Sequence, residues 1–237
     1  MPILHYVPFC FLLAVVVLVS VNAGKLTLGG GLTGGLIASI VFIGAGYNGL
    51  LMLAAFFIFG TATTWWKKVE KQAFKSRNDQ SGKRNLGQVL ANGGIAALAG
   101  LLAYLIPSQA GLFRLMMAAS LSSAMADTLS SELGMIYGHS FYNIVSFKKD
   151  EKGLDGVVSL EGTAIGIAGS IIVALIYALG FGWNMQVLFI VFAGTIGNLS
   201  DSVLGALLER KHVINNDLVN FLNTLIAALT AAFCMFF

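Results

Sequence analysis

Long apolar runs recur along almost the whole of this 237-residue chain, with short polar segments between them. A run of roughly 20 apolar residues matches the hydrocarbon core of a bilayer when it is helical, and it is too long for a strand in a soluble core. Charged residues make up 11% of the chain, whereas a soluble domain carries about 25%. The sequence therefore predicts an all-α, polytopic transmembrane helical bundle that forms a single membrane-embedded domain over residues 1–237.

The apolar runs predict about seven to eight spans, of which the first is expected to be retained as a helix. The Gly-Ala-Gly junction at residues 44–46 is the least defined boundary. The second and third segments could instead be one broken helix plus a helix, which would change the count. The predicted segments are 4–22, 26–45, 47–64, 88–106, 112–137, 162–182, 185–208 and 218–236.

The basic residues predict which way the bundle faces. The segment 65–87 carries seven of them, against two acidic residues. By the positive-inside rule this segment is cytoplasmic, which predicts a protein of the inner or plasma membrane. Polar residues in the other spans then fall near the cytoplasmic end, although they did not enter the choice of orientation. The seven basic residues are Lys67, Lys68, Lys71, Lys75, Arg77, Lys83 and Arg84.

Two aspartates lie in the middle of long apolar runs. Asp127 stands between alanine and threonine, and Asp201 stands between two serines. A carboxylate at bilayer depth is costly and usually marks a functional site. Glu132 follows five residues after Asp127, and the two spans run in the same direction. We expect Asp127, Asp201 and Glu132 to be catalytic and to bind a divalent cation. The alternative is that the polar residues of these two spans only pack the helices together.

Further polar positions cluster near the same predicted end of the bundle. A glycine followed by two cations before the fourth span, at 82–85, is typical of an anion site, although a topology anchor explains it equally well. Hydroxyl and carboxyl groups flank the start of the sixth span, where helix capping is the alternative. Amides and a carboxylate form a stripe on the last span. The predicted substrate- and phosphate-binding residues are Lys83, Arg84, Asn85, Ser159, Glu161, Asn198, Asp217, Asn220 and Asn223.

Taken in order, these segments resemble the family of integral membrane proteins known as domain of unknown function 92, which includes the transmembrane protein 19 group. The resemblance runs from about residue 82 to 224, and it is the ordered set that is specific. Residues 1–60 match only as apolar helices. The matching segments are 82–85 with 88–93, 126–128 with 131–134, 155–163, 197–202 and 216–224.

The family's characterised branch is the phytyl phosphate kinase of vitamin E synthesis, which uses CTP to turn an isoprenyl monophosphate into a diphosphate. The resemblance implies that activity or a close relative of it: a phosphotransferase acting on a phytyl, geranylgeranyl or farnesyl-like monophosphate at the cytoplasmic membrane face. Mg²⁺ and CTP are the implied cofactor and co-substrate, and no nucleic acid is expected. Such chemistry needs a metal ion on the phosphates and cations that neutralise charge.

Two other functions remain open from the residues. A lipid-phosphate cytidylyltransferase would show the same pocket in sequence, and only its products would differ. An ion-coupled transporter would use Asp127 and Asp201 as coupling sites, and it would turn over no nucleotide.

Overall fold

The computed structural model describes residues 6–72 and 82–236. The all-α prediction is confirmed, although the short α3 and a small two-stranded antiparallel sheet were not predicted. A 3₁₀ turn, Pro107–Gln109, precedes α5, and a π-helical turn, Gly205–Glu209, continues α7. The helices are α1 Tyr6–Asn22, α2 Leu28–Trp65, α3 Lys68–Gln72, α4 Leu86–Leu105, α5 Ala110–Tyr137, α6 Leu160–Phe181, α7 Met185–Leu204 and α8 Asn216–Cys234; the strands are β1 Tyr142–Asn143 and β2 Val157–Val158.

Helix α2 folds back on itself at Gly46. Its backbone there has φ 61° and ψ −151°, a conformation that is essentially restricted to glycine. A straight helix of 38 residues would be about 57 Å long. Instead its two ends meet, because the Lys25 Nζ lies 3.3 Å from the centre of the Trp65 ring. The arms 28–45 and 47–65 are therefore two antiparallel spans, as the eight-segment reading predicts.

The fold-back leaves backbone carbonyls near the break that need hydrogen-bond partners inside the membrane. Arg114 of α5 supplies one, because its Nε donates to the Gly44 carbonyl at 2.9 Å. Its guanidinium also lies over the Phe181 ring, 5.4 Å from the ring centre. This charged side chain therefore ties the α2 break to α5 and α6.

Helix α5 forms the centre of the bundle and packs against α2, α4, α6, α7 and α8. Leu115, Met117, Leu121 and Met125 are completely buried along it. In the described part of the chain, five helices are long and apolar enough to cross a membrane: α2, α4, α6, α7 with its π turn, and α8. Because these helices surround α5, it can carry polar groups without exposing them to lipid.

Glycines on α7 allow α5 and α8 to approach it closely. A side chain at Gly194 would collide with the Ser122 hydroxyl, and one at Gly197 would collide with the Ser123 hydroxyl and lie 2.8 Å from the Asn223 carbonyl oxygen. Small residues at such contacts are the usual means of packing helices in membranes. They bring the polar positions that follow on α7 next to those of α5 and α8.

Candidate active site

A cavity of about 1390 Å³ opens at one end of the bundle, where α5 and α7 end and α4, α6 and α8 begin. Its wall combines residues from all of these helices, from the end of α2 and from the loop between α5 and α6. All the predicted site residues except Glu161 and Asn223 line it. Those that do are Lys83, Arg84, Asn85, Asp127, Glu132, Ser159, Asn198, Asp201, Asp217 and Asn220.

Asp127 and Asp201 meet in this cavity, where their side chains hydrogen-bond each other across the α5–α7 contact. Asp127 lies ten residues before the end of α5, which is about 15 Å from the open end of the bundle. Two carboxyl groups this close repel each other when both are ionised. A shared proton or a bound cation would relieve this repulsion.

A chain of amides on α8 positions Asp201. Asn223 Nδ2 donates to Asp201 Oδ1 at 2.6 Å, and the Ser123 hydroxyl donates to Asn223 Oδ1 at 3.0 Å. The same Nδ2 lies 3.5 Å from Asn220 Oδ1, and Asn220 Nδ2 donates to Asn216 Oδ1 at 2.9 Å. Asn223 is fully buried behind Asp201, so it orients that carboxylate, while Asn220 reaches the cavity itself.

On the side of the cavity formed by α2 and α3, a lysine holds Glu132. Lys71 of α3 is 1% exposed and forms an ion pair with Glu132, which is 7% exposed. Lys71 Nζ also donates to the carbonyls of Thr63 at 2.6 Å and Thr64 at 3.1 Å, in the last turn of α2. Glu132 lines the cavity with its charge balanced by this lysine. The role of Glu132 as a metal ligand stays a prediction, and Lys71 was predicted only as part of the basic cytoplasmic segment.

Arg84 places a cation in the cavity wall, where the charges of Glu132 and Asp127 act on it. Its guanidinium lies 5.1 Å from the centre of the Phe56 ring and against Gly60, where a Cβ would come within 2.6 Å of a guanidinium nitrogen. Burial lowers the pKa of Arg84, and the charges of Glu132 and Asp127 act in the opposite direction. An arginine in this position is suited to binding phosphate oxygens.

Two predicted binding residues are helix caps. Asn85 caps α4, with its Oδ1 accepting from the Gln88 backbone N–H at 3.0 Å. Ser159 caps α6, with its hydroxyl oxygen accepting from the Gly162 backbone N–H at 3.0 Å. Capping, the alternative considered for the α6 start, is thus present, and a substrate role for either residue stays a prediction. Lys83 is exposed at the cavity wall.

Asn198 and Asp217 line the cavity through contacts with neighbouring helices. Asn198 is 5% exposed and its Oδ1 accepts a hydrogen bond from the Ser130 hydroxyl at 3.0 Å. The Asp217 carboxylate packs against Gly87 in the first turn of α4, where the helix dipole favours a negative charge. Both residues therefore join neighbouring helices at the cavity wall.

Glu161 lies outside the cavity wall. Its carboxylate accepts from the His139 backbone N–H at 3.4 Å and pairs with the His139 ring at 2.9 Å. Its geometry connects the start of α6 to the loop that follows α5. A direct role in binding substrate remains an untested prediction.

Two acidic residues that the predicted set left out also line the cavity: Asp155 in the loop between α5 and α6, and Glu209 at the end of the π-helical turn after α7. The charge of Asp155 acts on Asp201, and that of Glu209 acts on Asp127. Arg210 donates to Asp150 at 2.8 Å, and this contact lowers the pKa of Asp150. No spacing in the sequence could reveal this tie between two loops 60 residues apart.

The donor set suits a cation that is shared with a phosphate-bearing ligand. Among the described residues, no three His, Cys, Asp or Glu side chains gather closely enough to hold a metal ion alone. Mg²⁺ is commonly bound by one or two carboxylates together with waters and substrate phosphates. The pair of Asp127 and Asp201 fits that pattern.

The chain is similar to several curated membrane proteins. It is 35% identical over 184 residues to an uncharacterised membrane protein of Methanocaldococcus jannaschii, covering 78% of this chain and 75% of that one. It is 32% identical over 206 residues to Protein VTE6, chloroplastic, of Arabidopsis thaliana, covering 83% of this chain and 61% of that one. An uncharacterised membrane protein of Synechocystis is 32% identical over 195 residues, covering 81% of this chain and 76% of the relative.

The chain thus spans about three fifths of the length of the Arabidopsis protein. No solved structure matches the chain. The model of the family described as integral membrane protein DUF92 matches residues 11–228, nearly the whole chain, and the chain belongs to that family.

Proposed function

We propose that this protein is a phosphotransferase that uses CTP and Mg²⁺ to convert an isoprenyl monophosphate into the diphosphate at the cytoplasmic face of a membrane. The observation that carries the proposal is that the pair Asp127–Asp201 and the cation of Arg84 line one cavity of the bundle. The resemblance of the ordered motifs to the kinase branch of the family supplies the substrate class.

Each part of the site has a role in this reaction. Asp127 and Asp201 would hold Mg²⁺, which when bound neutralises and orients the nucleotide phosphates. Arg84 and Lys83 would bind phosphate oxygens of the substrates. An oxygen of the isoprenyl monophosphate attacks the γ-phosphorus of CTP, the bond from that phosphorus to the β-phosphate oxygen breaks, and CDP leaves.

The wall of the cavity suits an amphipathic substrate. Beside the charged groups it includes the apolar side chains of Met135, Phe141, Leu154, Val213 and Leu218. The charged headgroup can therefore meet the acidic pair while the first isoprene units contact apolar wall residues. This division matches a phosphorylated lipid better than it matches a small hydrophilic ion.

The distribution of basic residues supports a cytoplasmic cavity. Five of the seven basic residues of the segment 65–87 lie at or beside the cavity end, around the end of α2 and the start of α4. Lys75 and Arg77 lie outside the described residues. Since loops rich in lysine and arginine remain in the cytoplasm, nucleotide would reach the site from that side.

The proposal is tested by incubating purified protein with Mg²⁺, each of the four nucleoside triphosphates and a panel of prenyl monophosphates. Prenyl diphosphate together with CDP is the expected product pair. A CDP-lipid together with pyrophosphate would identify a cytidylyltransferase instead. Absence of nucleotide turnover with every substrate, in protein that stays folded, would contradict both enzymatic functions and favour a transporter.

A further inference from the structure

Asn92 on α4 is a residue of the cavity wall whose side-chain oxygen is unused. Its Nδ2 donates to the Gln88 carbonyl at 2.9 Å, while its Oδ1 is buried and has no hydrogen-bond partner among the residues that the structure describes. Rotating the amide by half a turn would set two oxygens against each other, so the contact with Gln88 determines which atom is the oxygen. Asn92 is part of the cavity wall.

A buried acceptor without a partner is unfavourable and calls for a physical explanation. Asn92 lies in a membrane-spanning helix, where lipid offers no hydrogen bond. Because Asn92 lines the cavity, a group bound there is the candidate source of a donor or a cation for this oxygen. An apolar residue at position 92 would avoid the unfavourable burial, and the chain has an amide there instead.

The depth of Asn92 matches that of the acidic pair. Helices α4 and α5 are antiparallel, and Gly100 of α4 packs against the Met117 side chain of α5. Asn92 lies eight residues from Gly100 toward the cavity, and residue 125 lies eight residues from Met117 in the same direction, so the two are at about the same depth. Residue 125 is two residues, or about 3 Å along the helix axis, from Asp127.

A contact between α8 and α4 places Asn92 at the same depth in the bundle. The Thr224 hydroxyl lies 3.5 Å from the carbonyl oxygen of Ala91, the residue before Asn92. Thr224 follows Asn223, whose amide holds Asp201. Asn92 and both aspartates therefore lie in one layer of the bundle.

We propose that Oδ1 of Asn92 is a third protein oxygen ligand of the divalent cation bound by Asp127 and Asp201. The inference rests on the proposed function and extends it to a residue outside the predicted site. An amide oxygen is a hard ligand of the kind that Mg²⁺ accepts. Because it is neutral, it adds a ligand without adding a further negative charge beside two carboxylates.

The role of Asn92 as a ligand is tested by measuring Mn²⁺ binding to the purified, detergent-solubilised protein. Free Mn²⁺ is measured by electron paramagnetic resonance in the absence and presence of CTP. Asn92→Leu keeps the approximate size and removes the oxygen, and Mn²⁺ affinity should fall roughly 10- to 100-fold. Asn92→Asp keeps an oxygen in place and should bind Mn²⁺ at least as tightly as the wild type. Asn92→Ser, with a smaller oxygen-bearing side chain, provides a further variant if leucine prevents folding.

Ser120→Ala is the matched control. The Ser120 hydroxyl is also buried and without a hydrogen-bond partner in the described part of the chain, but it lies seven residues from Asp127, away from the cavity. This variant should bind Mn²⁺ like the wild type. Thermal unfolding without metal separates a ligand from a packing residue, because Asn92→Leu should unfold no earlier than the wild type.

Wild-type Mn²⁺ affinity in Asn92→Leu would overturn the inference while leaving the proposed function intact. A weaker affinity accompanied by a lower metal-free unfolding temperature in Asn92→Leu, Asn92→Ser and Asn92→Asp alike would assign the residue to packing and would also overturn it. Absence of Mn²⁺ binding to the wild type, with and without CTP, would contradict both the inference and the cation site of the proposed function.

Discussion

The two flanks of the cavity hold their acidic groups in different ways. On the α8 flank, the neutral amide of Asn223 orients Asp201. On the α2–α3 flank, the ammonium group of Lys71 pairs with Glu132. A neutral donor positions a carboxylate without supplying a positive charge, whereas a buried lysine balances it. The charge of Glu132 is therefore already balanced by Lys71, whereas the hydrogen bond from Asn223 leaves the charge of Asp201 unbalanced, as the proposed cation site requires.

The contacts of the α8 flank serve mainly the site, whereas those of the α2–α3 flank serve mainly the fold. The α8 amides form one helical stripe, so their loss should alter the site more than the fold. Lys71 joins the last turn of α2 to α5 through Thr63, Thr64 and Glu132, so its loss should alter the fold first. Substitutions on the two flanks test this division.

Lys71→Met should have the largest effect, and it should fall on stability. Removing one partner of a buried ion pair leaves an uncompensated charge, at a cost of about 3–5 kcal/mol. The free energy of unfolding, measured in mild detergent with a denaturant series, should fall by that amount. The double variant Lys71→Met with Glu132→Gln removes both charges and should recover much of the loss. Equal stability of Lys71→Met and the wild type would contradict the structural role of this flank.

Asp201→Asn should reduce turnover by about 100- to 1000-fold, the usual effect of losing one group that stabilises transition-state charge, while the unfolding temperature stays within a few degrees. Asp127→Asn should do the same. Steady-state rates over a range of Mg²⁺ concentrations provide the measurement. Glu70→Gln, which removes half of an exposed ion pair, is the control and should keep the wild-type rate. Turnover at the control level in Asp201→Asn would remove the acidic pair from the reaction.

Asn220→Leu should lower turnover by roughly tenfold, since the amide reaches the cavity and also accepts from Asn223 and a net hydrogen bond contributes about 1 kcal/mol. Rates and unfolding temperatures are measured together on the same preparations. A variant that loses stability and keeps its turnover would show that this amide only joins helices. Asn216→Leu, one turn farther toward the open end, should have a smaller effect on the rate.

The tie between Asp150 and Arg210 should have the smallest effect and should depend on pH. Arg210 lowers the pKa of Asp150, so the contact contributes stability above the unfolded pKa of aspartate and loses it as the pH falls through the lower folded pKa. Limited proteolysis of the loop 138–159 by pepsin at low pH, compared with a broad-specificity protease near pH 7, should show faster cleavage in acid. Asp150→Asn should show the faster cleavage near pH 7 as well; protection equal to the wild type there would contradict the tie.

Much of this architecture can be predicted from sequence, for identifiable reasons. Long apolar runs show their helices directly. The fold-back at Gly46 was the least defined boundary, because glycine permits these backbone angles without requiring them. Asp127 and Asp201 could be expected to meet because both lie in the same half of spans that run in the same direction. The stripe of Asn220 and Asn223 is visible because it follows the helical period.

Other features depend on contacts that no spacing encodes. Lys71 pairs with Glu132 across 61 residues, and a basic residue in a basic loop indicates only topology. The strands at Tyr142–Asn143 and Val157–Val158 are too short to show an alternating pattern. Asn85 and Ser159 illustrate a further limit, because a polar residue before a helix serves capping and ligand binding with the same atoms.

The most direct test of phosphoryl transfer at the acidic pair is a single-turnover reaction with CTP labelled in its γ-phosphate, Mg²⁺ and a prenyl monophosphate, run with the wild type and with Asp201→Asn. We expect the wild type to transfer the label to the prenyl diphosphate and Asp201→Asn to transfer almost none in the same time. Label that appears in pyrophosphate, or equal transfer by both proteins, would contradict this expectation.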